Sequence, residues 1–262
     1  MSTLVCFHAH PDDEAISTGG LMALAARAGH RVILVCATRG EQGEPQEGVL
    51  AEGEELWERR IVELSASTKI LGADEPRLLG YEDSGMMGEP TNDNPHCFWQ
   101  ADHDEATERL VAILREVDAD VLTIYDEIGG YGHPDHLRVH SVGKAAARAA
   151  GLDHVYEATM NRDRLEELME AAREAGEEID DVDRSEFGTP EADIAYGVNV
   201  GEVIGLKKDA IMAHRSQVGP DSFFLTMPDE AFAAGFGMEW FNVPDKKDTG
   251  GPEVVELLPG LV

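Results

Sequence analysis

The sequence predicts an α/β fold, a mostly parallel sheet with helices packed on both of its faces. Two observations carry this. Short apolar runs recur along the chain, and most are followed by a longer segment with helical spacing, the order of βαβ units. The runs are apolar at nearly every position rather than at alternate ones, as strands covered on both faces are. In such sheets ligands bind beyond the carboxyl ends of the strands. The loops that follow the apolar runs are therefore where chemistry is expected.

Residues 3–9 form the first such strand. Ser17-Thr18-Gly19-Gly20 then opens into a helix over 21–26, and Gly29 stands where helices end in a left-handed residue. Residues 31–38 repeat the strand pattern and lead into the loop Arg39-Gly40-Glu41-Gln42-Gly43-Glu44. Residues 50–71 read as a helix stopped by Gly72, and residues 77–81 as a short strand ahead of Glu82-Asp83-Ser84. The stretch 88–100 has prolines, asparagines and no periodicity, which marks a long loop. Leu110, Ile113, Leu114 and Val117 give a helix over 105–117, and residues 120–125 are a third buried strand. The glycine-rich turn after it runs into a helix over 136–150 capped by Gly151. Beyond lie a strand over 155–160, an acidic helix over 162–175, a charged loop over 177–191, a helix over 200–214 and a short one over 228–234. No repeat or linker interrupts the 262 residues, so they read as one domain, less regular after about residue 219.

Composition excludes several classes. Hydrophobic residues make up 42%, enough for a sizeable core. With 21 Lys+Arg against 52 Asp+Glu the formal charge is −31, which repels nucleic acid and anionic membrane surfaces. Excess carboxylate with little lysine is also a composition that halophiles use. The three cysteines Cys6, Cys36 and Cys97 have no CxxC partner, and Cys6 and Cys36 fall in strand-like runs as small buried hydrophobes. No run approaches the ~20 apolar residues needed to cross a bilayer, and the N-terminus lacks the basic flank of a secretory signal. A cytoplasmic protein is expected.

Two clusters follow strands and mirror each other: His10-Pro11-Asp12-Asp13 and His133-Pro134-Asp135-His136. Imidazole and carboxylate together are the donor set of a catalytic zinc with an open position. His10 and Asp13 are three apart, so a turn puts them on one side while Asp12 points elsewhere, toward metal-activated water. A carboxylate there can take the water's proton, because zinc lowers the pKa of bound water to about 7. In the second cluster only one of His133 and His136 need complete the coordination, and the other can donate to a leaving amine or an oxyanion. Asp135 suits the orientation of an imidazole. His140, four residues after His136, is the rival third ligand. Gly129, Gly130 and Gly132 around Tyr131 suggest a mobile loop that carries the phenol toward a reacting carbonyl. A dinucleotide-binding protein is the competing α/β class, but no G-x-G-x-x-G follows the first strand.

The run Ala9-His10-Pro11-Asp12-Asp13-Glu14 resembles the signature of the LmbE-like, or PIG-L, family of zinc-dependent N-deacetylases. Thr38-Arg39-Gly40-Glu41, Asp83-Ser84-Gly85-Met86, Gly129 through His136 and Ala213-His214-Arg215-Ser216-Gln217 resemble further family motifs in the same order, over about residues 3–218. The nearest branch is that of mycothiol metabolism. The resemblance implies a Rossmann-like sheet and one Zn2+ per chain, with His10, Asp13 and His136 as ligands and Asp12 as general base. It implies His133 as acid or oxyanion partner, Asp135 tuning it, Tyr131 polarising the acyl carbonyl, and Glu44, Arg60 and Asp83 on the sugar. The expected activity is removal of acetyl from an N-acetyl amino sugar, with an amidase acting on thiol conjugates as the alternative. The expected partner is that small molecule; a homo-oligomer stays open. Ile128 departs from the polar residue that relatives in the branch often carry before the glycine pair.

Overall fold

Residues 1–174 and 187–261 are described by the computed structural model. The strands are β1 (Thr3–His8), β2 (Arg31–Cys36), β3 (Arg77–Leu78), β4 (Val121–Tyr125), β5 (His154–Thr159), β6 (Tyr196–Asn199), β7 (Met238–Asn242) and β8 (Glu253–Val255). They form one sheet in the order β3-β2-β1-β4-β5-β7-β6-β8. The first five pair in parallel, β7 runs antiparallel to both β5 and β6, and β8 is parallel to β6. The expected mostly parallel sheet is therefore present, with its carboxyl-terminal strand ends gathered over β1, β2 and β4.

The helices are α1 (Asp13–Ser17), α2 (Gly19–Arg27), α3 (Leu56–Leu71), α4 (His103–Glu116), α5 (Gly129–Gly132), α6 (Pro134–Ala150), α7 (Arg162–Glu174), α8 (Ile204–Ala213), α9 (Phe223–Thr226) and α10 (Asp229–Phe236). β1 is buried at every position because it has helices over both faces. Leu4 and Cys6 enter one apolar core with Leu21, Leu64 and Ile211 of α2, α3 and α8. Val5 and Phe7 enter the other with Leu110 of α4 and Val139 and Val142 of α6. Among the described residues no helix is long and apolar enough to cross a membrane.

Several boundaries differ from the sequence reading for local reasons. α3 starts at Leu56 rather than at residue 50, because Gly53 turns left-handed (φ 79°) and the Glu58 carboxylate accepts the Glu55 N–H at 3.1 Å. α6 starts at Pro134, the position where proline's missing N–H costs nothing. The strand expected over 77–81 shrinks to Arg77–Leu78. The charged loop expected over 177–191 lies mostly outside the described residues, as does residue 175 at the end of the expected acidic helix.

The larger correction is beyond residue 195, where the sequence showed a helix and little else. Three strands, β6, β7 and β8, come from this part, and β7 inserts between β5 and β6. A buried ion pair fixes it. Lys207 of α8 (1% exposed) donates to Glu239 of β7 (3% exposed) at 2.7 Å, and the Glu239 carboxylate also accepts the N–H groups of Gly20 and Leu21 at 2.7 and 2.8 Å. One carboxylate thus joins the last part of the chain to the start of α2. Glu239→Ala leaves a buried ammonium unpaired and is expected to cost about 3–5 kcal/mol, read as a lower midpoint in urea denaturation.

Candidate active site and metal centre

The first cluster sits where β1 ends. Asp12 adopts φ 113°, ψ −31°, a backbone that L side chains rarely take and that costs on the order of 1–3 kcal/mol. This sharp turn folds Asp13 back so that its Oδ2 accepts the His10 backbone N–H at 2.8 Å and lies 3.3 Å from His10 Nδ1. The Asp12 side chain leaves in another direction, toward Arg60 Nη2 at 3.1 Å. The turn thus sends the Asp12 and Asp13 side chains in different directions.

The second cluster follows β4. Gly129 (φ 64°) lets the chain pass over α6, and a Cβ there would stand 2.6 Å from His136 Cβ. His133 caps α6, its Nδ1 accepting the Asp135 N–H at 3.1 Å, so the ring proton is left on Nε2. His136 Nδ1 donates to the Gly129 carbonyl at 3.1 Å, and its ring stacks on Tyr125 with centroids 4.3 Å apart. Its Nε2 is buried with no hydrogen-bond partner among the described residues and lies 3.5 Å from Asp13 Oδ2.

Asp135 is fully buried, and its carboxylate contacts a different imidazole from the one the resemblance pairs it with. Its carboxylate accepts the Ser84 hydroxyl and backbone N–H (the latter at 2.9 Å) and His10 Nε2 at 3.1 Å. The carboxylate therefore orients His10, whereas His133 receives only the Asp135 backbone. Asp83 Oδ1 stands 3.4 Å from the same His10 nitrogen and accepts Gly85 N–H at 2.9 Å.

These charges shift one another. Burial opposes the imidazolium of His10, but Asp83, Asp13 and Asp135 outweigh it and hold its pKa well above the usual histidine value. Burial likewise opposes ionised Asp13, and His136 and His10 overcome it, holding that carboxyl well below the usual range. Burial raises Asp12 despite the Arg60 guanidinium, which suits a proton acceptor. Burial, helped by His10 and His136, lowers His133 to about 4, so its imidazole is neutral near pH 7. Burial and the nearby Asp13 push Tyr131 up, so it stays a phenol donor.

The donor set fits a divalent cation. His10 Nε2 is held by a carboxylate and His136 Nδ1 by a carbonyl, which leaves His10 Nδ1 and the orphaned His136 Nε2 facing one Asp13 oxygen. Their spacings of 3.3 and 3.5 Å approach the separation of about 3.3 Å between neighbouring ligands of a tetrahedral zinc with bonds of about 2.0 Å. His10, His133 and His136 also converge, as do His10, Asp83, His133 and Asp135. His140 is not part of the group. Its Nδ1 donates to the Tyr125 carbonyl at 3.0 Å, and it faces a neighbouring cavity of about 810 Å³.

Tyr131 is 43% exposed, with its ring edge-on to His136 at 4.9 Å. The three expected sugar residues separate. Glu44 is exposed, Asp83 is buried against His10, and Arg60 is buried with its guanidinium on the Pro11 and Gly40 carbonyls and on Asp12. Four residues beneath the site were given no role from sequence. Glu14 and His214 pair at 2.7 Å, both fully buried, and Glu63 holds Ser216 through its N–H at 2.9 Å and its hydroxyl at 2.6 Å. Glu63, three residues after Arg60 on α3, was findable as a neighbour on the same helix face.

Residues 5–147 match the family model described as PIG-L: GlcNAc-PI de-N-acetylase. A 1D-myo-inositol 2-acetamido-2-deoxy-alpha-D-glucopyranoside deacetylase of Acidothermus cellulolyticus is 40% identical, covering 91% of this chain and 87% of the relative. One of the same name from Geodermatophilus obscurus is 38% identical, covering 98% and 97%. Among solved structures, N,N'-diacetylchitobiose deacetylase from Pyrococcus horikoshii superposes with a TM-score of 0.61 over 92% of this chain and 83% of that one, at 21% identity, which is a likeness of fold.

The cavity beside the site yields a stability measurement. Glu157 lines it at 6% exposure, and burial pushes its pKa from 4.5 up to about 7. A carboxyl whose folded pKa is raised stabilises below its unfolded pKa and loses that contribution as pH rises through the folded one. Between about pH 4.5 and 7 the native chain is expected to lose about 3 kcal/mol relative to Glu157→Gln. Paired denaturation curves across that window check it.

Proposed function

The chain belongs to the PIG-L family, and from that premise we propose that it hydrolyses the acetamide of an N-acetylglucosaminide with a polyol aglycone, releasing acetate and a free amino sugar. The observation that carries this reading is the convergence of His10 Nδ1 and His136 Nε2 on Asp13 Oδ2, with Asp12 turned away beside them. In this reading His10, Asp13 and His136 hold one zinc ion per chain. When bound there, zinc supplies a Lewis acid and acidifies a water at neutral pH.

The remaining steps belong to the protein. Asp12, raised by burial and anchored by Arg60, takes the proton of the attacking water. The His133 Nε2–H and the Tyr131 hydroxyl donate to the developing oxyanion, both being neutral donors near pH 7. Asp12 then returns its proton to the departing amine. Asp135 keeps His10 in the tautomer whose Nδ1 is free, and its backbone N–H does the same for His133 Nε2–H. Glu44 is the sugar-side group open to solvent; Arg60 and Asp83 shape the pocket from below. The relatives' names supply the substrate class, an acetamido-glucopyranoside of inositol. The buried free thiols of Cys6, Cys36 and Cys97 suit a reducing cytoplasm.

Acetate release from 1D-myo-inositol 2-acetamido-2-deoxy-α-D-glucopyranoside is the direct assay. Chelation is expected to abolish it and one equivalent of zinc to restore it. Asp12→Asn is expected to lower kcat about a thousandfold with zinc retained, and His133→Ala about a hundredfold. A zinc-loaded Asp12→Asn enzyme with kcat within a few-fold of the native one overturns the reading.

A further inference from the structure

We propose that His214 is a positioning residue for the base Asp12, acting through Glu14 and never touching substrate. The inference rests on the reading of Asp12 as base given above. It also gives a task to Ala213-His214-Arg215-Ser216-Gln217, a segment that the mechanism leaves unused.

The Asp12 backbone needs an external hold, since φ 113° is not a conformation that an aspartate keeps by itself. The hold is visible. Glu14 Oε2 accepts the Asp12 N–H at 2.9 Å, and this is the hydrogen bond that fixes the turn from the backbone side. Arg60 fixes it from the other, through the Pro11 carbonyl and the Asp12 carboxylate. Glu14 can do this only if its carboxylate is held in one rotation, with its oxygens given donors, in a site with no exposure to water. His214 Nε2 at 2.7 Å and the Ser67 hydroxyl at 2.5 Å hold its other oxygen.

His214 is specialised for this. Its Nδ1 is buried without a partner among the described residues, so the one hydrogen bond of its imidazole there is the one to Glu14. Its place is set by α8, which ends at Ala213, and by Ser216, clamped to Glu63 of α3. A line of contacts thus runs from α3 and α8 through His214 and Glu14 to the Asp12 backbone. The metal-facing groups are held separately, Asp13 by the His10 N–H and His10 by Asp135. Removal of His214 therefore acts on the base and leaves the ligands in place.

The test compares native, His214→Leu, His214→Gln, Glu14→Gln and Asp12→Asn proteins for kcat, KM, zinc content, zinc affinity by chelator competition and melting temperature. His214→Leu is expected to lower kcat about ten- to a hundredfold, with KM within about twofold and zinc content and affinity unchanged. Glutamine can place an amide N–H near Nε2, so His214→Gln is expected to recover most of the rate. Glu14→Gln keeps size and shape but sets an amide donor against another donor, so it is expected to fall with His214→Leu and supplies the test if that variant does not fold. A folded, zinc-loaded His214→Leu or Glu14→Gln enzyme with native kcat overturns the proposal. So does a loss of activity that tracks lost zinc, or His214→Gln no better than His214→Leu. If Asp12→Asn itself keeps native kcat, the reading of the base has failed. If Asp12→Asn is inactive while the others are native, the base stands and the positioning role falls.

Discussion

The carboxylates of Asp12, Asp13, Glu14, Asp83 and Asp135 crowd beneath the carboxyl ends of β1, β2 and β4, and supplying them with hydrogen-bond donors there constrains everything around them. Asp83, Asp135 and Glu14 are almost wholly buried, with Asp12 and Asp13 partly so. Removing a carboxylate from water is costly unless donors or cations replace the lost hydration. Each of the five has such a replacement: Arg60 for Asp12, His10 and His136 for Asp13, His214 and Ser67 for Glu14, Ser84 and His10 for Asp135, and Gly85 N–H for Asp83. The concentration of negative charge is also what makes the place suit a divalent cation, which would meet Asp13 and two imidazoles already turned toward it.

The scaffold serves this demand. Parallel strands bring the two His-Pro-Asp clusters, more than a hundred residues apart in sequence, to adjacent strand ends, because β1 and β4 are neighbours. Helices α3 and α8 supply Arg60, Glu63 and the start of the 213–217 segment from one face, while α6 supplies Asp135 and His136 from the other. The strained turn at Asp12 is tolerated because Glu14 holds its N–H and Arg60 holds the Pro11 carbonyl and the Asp12 carboxylate. The buried Lys207–Glu239 pair has a similar logic at a distance, since it ties β7 to α8, the helix that leads into the 213–217 segment.

Much of the site was legible in the residues themselves. The three-residue spacings in His10–Asp13 and His133–His136, placed after apolar runs, marked out the candidate donors and set Asp12 apart, while the choice of His136 over His133 and His140 came from the family resemblance. What could not be read was the direction of hydrogen bonds. Asp135 stands two residues from His133 and 125 from His10, yet its carboxylate binds His10, because capping of α6 turns the His133 ring onto the Asp135 backbone instead. Arg60 reads as a surface charge on a helix and is in fact among the most buried charged groups, held by carbonyls from two distant loops.

The strands repeat the contrast. β1, β2 and β4 announce themselves because burial on both faces demands an unbroken apolar run. Strand β7 contains Glu239 and β6 contains Gly197, and neither shows a run or an alternation; they exist as strands because Lys207 neutralises the one and the Trp240 ring packs over the other. By itself the sequence determined the α/β class and singled out the loops and side chains proposed to bind metal and move protons, since these follow from local pattern and residue chemistry. The tertiary structure alone decided which carboxylate orients which imidazole, what holds Asp12 in its strained turn and how the C-terminal part joins the sheet. Those are contacts between residues tens to hundreds of positions apart, and local pattern carries no information about them.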